Sequence, residues 1–122
     1  SPVIVTKGGA LRLVTGSPGG RTIPNTVLDV VLGVTAFNEG IRSAVDAPRT
    51  HHQWMPDTAY LEAGAANAEV IAALRSMGHA VSEQPARSQG DAHSILYDAA
   101  TKTARGANDR RSPDSGARTP KP

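Results

Sequence analysis

The hydrophobic positions at the start of the chain change from a strand-like to a helix-like pattern. Residues 2–7, "PVIVTK", and 11–16, "LRLVTG", are rich in β-branched residues and flank two glycines, which predicts a β-hairpin. From about 24 to 38 the apolar residues follow helical spacing and cover nearly every side, which predicts a buried helix. A strand is the competing interpretation because valine dominates, but Pro24 suits a first helical turn and the segment exceeds the usual strand length.

The rest of the pattern alternates short helical and strand-like segments. Residues 38–49 predict a short helix that ends before Pro48, and Asn67 predicts the cap of a third helix that ends at Gly78. The apolar stripe of that third helix consists of Val70, Ile71, Leu74 and Met77. Further strand-like segments are residues 59–63, 79–84, 92–98 and 102–109. The pattern as a whole predicts a mixed α/β (α+β) fold with strands prominent toward its end.

Length, cysteine content and charge narrow the classes of protein. The 122 residues suffice for one domain, and the absence of cysteine excludes disulfides, thiolate catalysis and cysteine-ligated zinc. No segment approaches the ~20 apolar residues of a membrane helix and no signal peptide opens the chain, which indicates a soluble piece or a processed one. The net charge of +2 arises within residues 109–122, so residues 1–108 are neutral and give no compositional sign of nucleic-acid binding.

The stretch "TGSPGGRTIPN", residues 15–25, joins the second predicted strand to the first predicted helix. Gly19 and Gly20 can adopt positive φ and present consecutive backbone N–H groups at a helix start, which suits an anion or a developing oxyanion. A tight structural turn accounts for the same residues equally well. A phosphate-binding loop fits less well, because neither G-x-x-x-x-G-K-[ST] nor G-x-G-x-x-G occurs.

The stretch "DAPRTHHQWMPD", residues 46–57, concentrates charged and aromatic side chains. Our first interpretation is a buried irregular loop whose polar side chains satisfy its own backbone, with Arg49 pairing a carboxylate such as Asp46. A direct role in function is the alternative. His51 and His52 should point to opposite sides of an extended segment, which makes them a poor chelating pair, so no metal site is predicted.

The stretch "RSQGDAHSI", residues 87–95, contains the residue types of a hydrolytic triad. These are Ser88, Asp91, His93 and Ser94. Nothing in the pattern indicates a nucleophile on a strained turn, so a catalytic triad is not predicted.

The order of these motifs resembles the carboxy-terminal part of the small subunit of γ-glutamyltransferases (γ-glutamyltranspeptidases). The resemblance covers about residues 1–111 and rests on "VTGSPGGRTIPNTVLDVV", "AVDAPRTHHQWMPD", "GDAHSI" and "GANDRR". It implies a fragment of the αββα four-layer sandwich of the N-terminal-nucleophile hydrolases. In that family a precursor cleaves itself, and the new amino-terminal threonine transfers the γ-glutamyl group of glutathione and related amides to water, amino acids or peptides.

For this chain the resemblance implies half of an active site. The backbone N–H groups of Gly19 and Gly20 would form the oxyanion hole, with no cofactor and no metal. The threonine nucleophile, the residues that bind the glutamate moiety and a paired serine would all lie upstream of Ser1. The remainder of the small subunit and the large subunit are therefore the implied partners, the isolated chain is expected to be inactive, and the implied location is periplasmic or secreted. No role is implied for His51 or His52.

The end of the chain departs from the resembled family. After Arg111 the segment 112–122, "SPDSGARTPKP", replaces the family's usual glycine-rich ending and has no Val, Ile, Leu or aromatic residue to bury. We predict a disordered tail there, with a basic recognition arm as the alternative. For the chain as a whole, the alternative to an enzyme fragment is a non-catalytic anion-binding or interaction domain that acts alone.

Overall fold

The computed structural model describes residues 1–117, which divide into two compact units. The first unit is Ser1–Asp46 together with the chain from Gly90 onward, and the second is Ala47–Gln89. In chain order the elements are β1 (Pro2–Lys7), β2 (Ala10–Gly16), a short 3₁₀ helix (Gly20–Thr22), α1 (Ile23–Thr35), α2 (Ile41–Asp46), β3 (Thr50–His51), β4 (Ala59–Glu62), α3 (Ala68–Ser76), β5 (Val81–Gln84), β6 (His93–Asp98) and β7 (Thr103–Ala107). Within residues 1–117 no helix is long and apolar enough to span a lipid bilayer.

An antiparallel sheet in the order β1-β2-β6-β7 forms the frame of the first unit. Lys7 pairs with Ala10, which leaves a two-residue turn whose glycines, Gly8 and Gly9, have φ of 58° and 80°. Two consecutive positive φ values match the twist of a tight hairpin, so the hairpin prediction is confirmed.

Helix α1 packs on this sheet by one face. Pro24 lies in its first turn and the helix prediction is confirmed, but the expectation of burial on nearly every side is wrong. Val30 and Val34 are buried in the core, whereas Leu28 and Leu32 are 49% and 39% exposed. One face of a helix can contact one sheet and one neighbouring helix, here β2 and α2, and the apolar pattern extends beyond that contact. The core residues are Leu13, Val30, Val34, Ile41, Ala44, Val45, Ala92 and Ala107.

The second unit contains a small mixed sheet in the order β3-β4-β5. Strands β4 and β5 are parallel and α3 connects them, as expected for a β-α-β crossover. The predicted cap of α3 is confirmed, since the Asn67 side chain accepts a hydrogen bond from the Val70 backbone N–H at 2.9 Å. Of the predicted apolar stripe on α3 only Ile71 is buried, and Met77 is exposed.

The described part of the predicted tail makes hydrogen bonds with the first unit. The Ser112 hydroxyl lies 2.6 Å from Asp91 Oδ2, and the Ser115 hydroxyl lies 3.0 Å from the Asp109 carbonyl oxygen. Residues 118–122 of the predicted tail lie outside the described residues. The disorder of the tail as a whole stays a prediction.

Candidate active site

The loop from Ser17 to Thr22 holds two consecutive glycines in conformations that favour glycine. Gly19 has φ 127° and Gly20 has φ 58°. A Cβ added at Gly19 would lie 2.7 Å from Thr22 Oγ1, while one added at Gly20 would meet no atom within 4 Å. Gly19 therefore needs glycine for two reasons, its φ and its close neighbour, whereas Gly20 needs it for its φ alone.

The carbonyl groups of the two glycines close the turn that leads into α1. The Thr22 backbone N–H and hydroxyl both donate to the Gly19 carbonyl oxygen, at 3.3 and 3.0 Å, and the Ile23 N–H donates to the Gly20 carbonyl oxygen. Both glycines are exposed, and neither of their backbone N–H groups donates a hydrogen bond to any residue within 1–117. The loop thus presents two neighbouring donors at the start of a helix, where an anion is favoured.

Gly90, which the sequence analysis did not single out, lies under this loop. Its φ is 63°, and a Cβ there would overlap the Thr26 hydroxyl of α1. Its Cα is also 3.5 Å from the position of a Cβ on Gly19. Gly90 is thus a second position at which the backbone closely approaches its neighbours. The only sign of this in the sequence was that the residue is a glycine.

The residue types of a hydrolytic triad do not assemble into one. His93 Nε2 lies 3.2 Å from Asp91 Oδ1, but the buried Ser94 hydroxyl pairs with Thr15 Oγ1 at 2.8 Å. Asp91 and His93 therefore form a contact without an adjacent serine nucleophile at Ser94.

His51 and His52 point apart, as predicted. His51 is buried, its Nε2 lies 3.0 Å from Gln53 Oε1, and its ring stacks on Tyr60 with centroids 6.3 Å apart. His52 is partly exposed, and its Nε2 lies 3.0 Å from Asp57 Oδ1. The hydrogen bond from Gln53 to the Met55 carbonyl oxygen is of the kind predicted for a loop that satisfies its own backbone. The loop is buried only in part, because the Trp54 and Met55 side chains are exposed.

Buried charges in the second unit centre on Glu62, which the sequence analysis missed. Its carboxylate accepts the backbone N–H groups of Arg49 and Gln89, at 3.0 and 2.7 Å. The buried Arg49 guanidinium donates to the Gln89 carbonyl oxygen at 2.5 Å. In the first unit, Asp46 lies 3.2 Å from Arg42 and 3.2 Å from Arg110. Among residues 1–117 no group of three or more histidine, aspartate or glutamate side chains is arranged to hold a metal ion.

Comparison with protein families and with curated proteins gives consistent matches. Residues 1–119 match the family described as Gamma-glutamyltranspeptidase. The glutathione hydrolase proenzyme of Escherichia coli K12 is 39% identical over 114 residues, which are 93% of this chain and 19% of that protein. The corresponding proenzyme of Pseudomonas aeruginosa is 38% identical over 100 residues, 80% of this chain and 18% of that protein. The chain therefore spans about a fifth of the length of these curated relatives.

Solved structures match at a similar level. A mutant of Helicobacter pylori gamma-glutamyltranspeptidase is 39% identical with a TM-score of 0.85, covering 92% of this chain and 60% of that chain. An acivicin-inhibited gamma-glutamyltranspeptidase, whose C-terminus is described as critical in autoprocessing and catalysis, is 40% identical with a TM-score of 0.84. That match covers 91% of this chain and 59% of the other.

Proposed function

Because the chain belongs to the gamma-glutamyltranspeptidase family, a family of γ-glutamyltransferase and glutathione hydrolase enzymes, we propose that it is the carboxy-terminal part of the small subunit of such an enzyme. The proposed enzyme transfers the γ-glutamyl group of glutathione and related amides to water or to amino acids and peptides. The threonine nucleophile and the glutamate-binding residues come from the remainder of the small subunit and from the large subunit. The proposed location is periplasmic or secreted.

The loop at Gly19 and Gly20 supplies the oxyanion hole in this proposal. The threonine hydroxyl oxygen bonds to the γ-carbonyl carbon, the hydroxyl proton passes to the free amine of that amino-terminal threonine, and the carbonyl π pair moves onto the oxygen as negative charge. Two backbone N–H groups at hydrogen-bond distance from that oxygen stabilise the charge where it develops. Collapse of the intermediate breaks the C–N bond, and the leaving amine takes the proton that the threonine amine holds. Water or an acceptor amine then attacks the acyl-enzyme, the ester C–O bond breaks, and the threonine hydroxyl regains a proton from the attacking group. The observation that carries the proposal is the pair of exposed glycines, whose N–H groups donate no hydrogen bond to the described residues, at the start of the 3₁₀ helix that leads into α1.

The face of the larger sheet opposite α1, which Ala117 covers only at Gly106, supports the proposed four-layer sandwich. Leu13 packs in the core with α1, so by strand alternation Val14 faces the other side of the sheet. Val14 pairs in register with Ile4 and Ile95, whose side chains are 67% and 47% exposed, and Ile95 pairs with Gly106. A cavity of about 620 Å³ lies over part of this apolar row. A second sheet from the rest of the small subunit, stacked about 10 Å away, would cover it.

A comparison of the 122-residue chain with the full-length protein that contains it tests the proposal. The full-length protein should release product from a γ-glutamyl anilide, and replacement of its processing threonine by alanine should abolish release. The isolated chain should give only background, because the nucleophile is missing.

Two outcomes would contradict the proposal. Turnover by the isolated chain that Ser1→Ala abolishes would assign the nucleophile to Ser1. A full-length protein without any γ-glutamyl turnover, whose chain binds an inorganic anion at the glycine loop, would support the non-catalytic anion-binding domain instead.

A further inference from the structure

A single buried hydroxyl joins the glycine loop to the segment that precedes β6. Ser17 is 3% exposed, and its Oγ accepts the Asp91 backbone N–H at 3.0 Å while it donates to the Pro18 carbonyl oxygen at 2.5 Å. The two residues are 74 positions apart in the chain. The first residues of the loop are therefore fixed by a contact that local sequence does not specify.

The side chain of Asp91 extends this connection to the segment after Arg111. Its Oδ2 accepts the Ser112 hydroxyl at 2.6 Å, a short distance typical of a hydroxyl bonded to a carboxylate. Its Oδ1 lies 3.2 Å from His93 Nε2. The Ser112 hydrogen bond to Oδ2 restricts the rotation of the Asp91 side chain, whereas the His93 contact on Oδ1 is not a hydrogen bond.

Ser112 is in turn fixed to the core of the first unit. Its backbone N–H lies 3.3 Å from the carbonyl oxygen of Asp109, which is fully buried. The Asp109 carboxylate accepts the backbone N–H of Ala92, the residue after Asp91, at 2.7 Å. The segment around Ser112 and the segment around Asp91 are thus connected at two adjacent residues.

We propose that Ser17, Asp91 and Ser112 position the Gly19–Gly20 loop for oxyanion binding, so that a residue in the predicted tail sets the rate of the chemical step. Gly19 and Gly20 have no side chains with which to hold their own conformation, and their positive φ values must be imposed by neighbours. An oxyanion hole acts through preorganisation, so a small displacement of its donors lowers kcat. The proposal rests on the oxyanion role of this loop stated under the proposed function.

Serine variants of the full-length processed enzyme test this connection. Ser17→Ala and Ser112→Ala each remove one hydroxyl of the chain of contacts. Ser115→Ala is the matched control, because the Ser115 hydroxyl lies in the same segment but bonds to the Asp109 and Ser112 carbonyl oxygens, at 3.0 and 2.8 Å. Ser112→Thr retains a hydroxyl at the tested position.

The expected result is a loss confined to kcat. Ser17→Ala and Ser112→Ala should each lower kcat roughly three- to tenfold, the range for one hydrogen bond, with KM within about twofold of the wild type. Ser112→Thr should restore kcat, and Ser115→Ala should leave it within about twofold. Because both serines act through Asp91, the double variant should lose less than the product of the single losses.

Hydrogen exchange supplies a second measurement that does not depend on activity. In the same full-length proteins, the peptide containing Gly19 and Gly20 should exchange faster in Ser112→Ala than in Ser115→Ala. Equal exchange, or equal kcat losses in those two variants, would overturn the positioning role, as would wild-type kcat in processed Ser17→Ala and Ser112→Ala enzymes. A wild-type enzyme without γ-glutamyl turnover would overturn the proposed function, and the exchange result would then still show whether Ser112 holds the loop.

Discussion

Replacing Gly20 with alanine tests whether the proposed oxyanion hole needs its backbone conformation, and the chain contains a matched control. Gly20 and Gly8 both have φ 58°, and a Cβ at either position would meet no atom within 4 Å. Alanine in the left-handed region costs about 1–2 kcal/mol at either site. The two variants should therefore lose similar stability, and they differ only in their place in the molecule.

The effect on catalysis follows from how the strain at Gly20 can be relieved. A flip of the peptide between Gly19 and Gly20 would bring φ of an alanine to a negative value, but it would also reverse the Gly20 N–H. The flip would break both hydrogen bonds that Thr22 donates to the Gly19 carbonyl oxygen, at about 0.5–1.5 kcal/mol each. The strain energy and the energy of the two hydrogen bonds are thus comparable. A fully flipped loop would lose one oxyanion donor, which sets the upper bound of the loss at about 2.7–4 kcal/mol of transition-state stabilisation, or 10²–10³ in kcat.

Gly19→Ala should have a larger effect than Gly20→Ala. Its Cβ would lie 2.7 Å from the Thr22 hydroxyl, so that hydroxyl must move and release the Gly19 carbonyl oxygen. The expected order of kcat is wild type and Gly8→Ala together, then Gly20→Ala, then Gly19→Ala.

The assay is anilide release by the full-length enzyme, with kcat and kcat/KM measured separately. Processing must be checked by gel, because an unprocessed precursor would look inactive for another reason. The loss should fall mainly on kcat, since the donors act where charge develops in the transition state. If fully processed Gly19→Ala and Gly20→Ala enzymes both keep the kcat of Gly8→Ala, the oxyanion assignment is wrong and the loop is a structural turn.

Three further predictions concern stability, each measured as the melting temperature of the 122-residue chain. Deleting residues 112–122 should lower the melting temperature by more than deleting 118–122, because only the longer deletion removes the hydrogen bonds of Ser112 and Ser115, about 0.5–1.5 kcal/mol each. Equal melting temperatures for the two deletions would show that these bonds do not contribute to stability. Glu62→Gln should lower the stability of the chain by about 1–3 kcal/mol, because it replaces a buried carboxylate oxygen that accepts a backbone N–H. The exposed control Glu83→Gln should lower it by less than about 1 kcal/mol, and an effect at Glu62 no larger than that of the control would contradict this role. Backbone N–H groups of Thr101 and Ala100 hold the pKa of Asp98 below its usual value of 3.8. Asp98→Asn should therefore destabilise the chain at neutral pH, and the difference from the wild type should disappear as the pH falls through the lowered pKa; a difference that does not depend on pH would refute this.

Local signals account for the parts of the fold that the sequence predicted correctly. The Gly8-Gly9 turn, Pro24 in the first turn of α1 and the Asn67 cap each act within a few residues of themselves. The exposed face of α1 was not predicted, because an apolar pattern records how many sides of a helix are hydrophobic and not how many find a neighbour in this chain. Glu62 was missed because nothing near it in sequence shows that its carboxylate lies between two distant backbone segments.

For the candidate site, sequence pattern left a structural turn and an anion-binding loop equally possible, and the hydrogen bonds are compatible with both. A turn is closed by the N–H of its last residue, so its central residues do not donate the closing bond. Here the donors that close the turn come from Thr22 and Ile23, and the glycines contribute only their carbonyl oxygens. These bonds leave the N–H groups of the exposed Gly19 and Gly20 at the start of the short 3₁₀ helix Gly20–Thr22 that leads into α1. The same residues thus satisfy the local requirements of a turn and leave two donors available for an oxyanion.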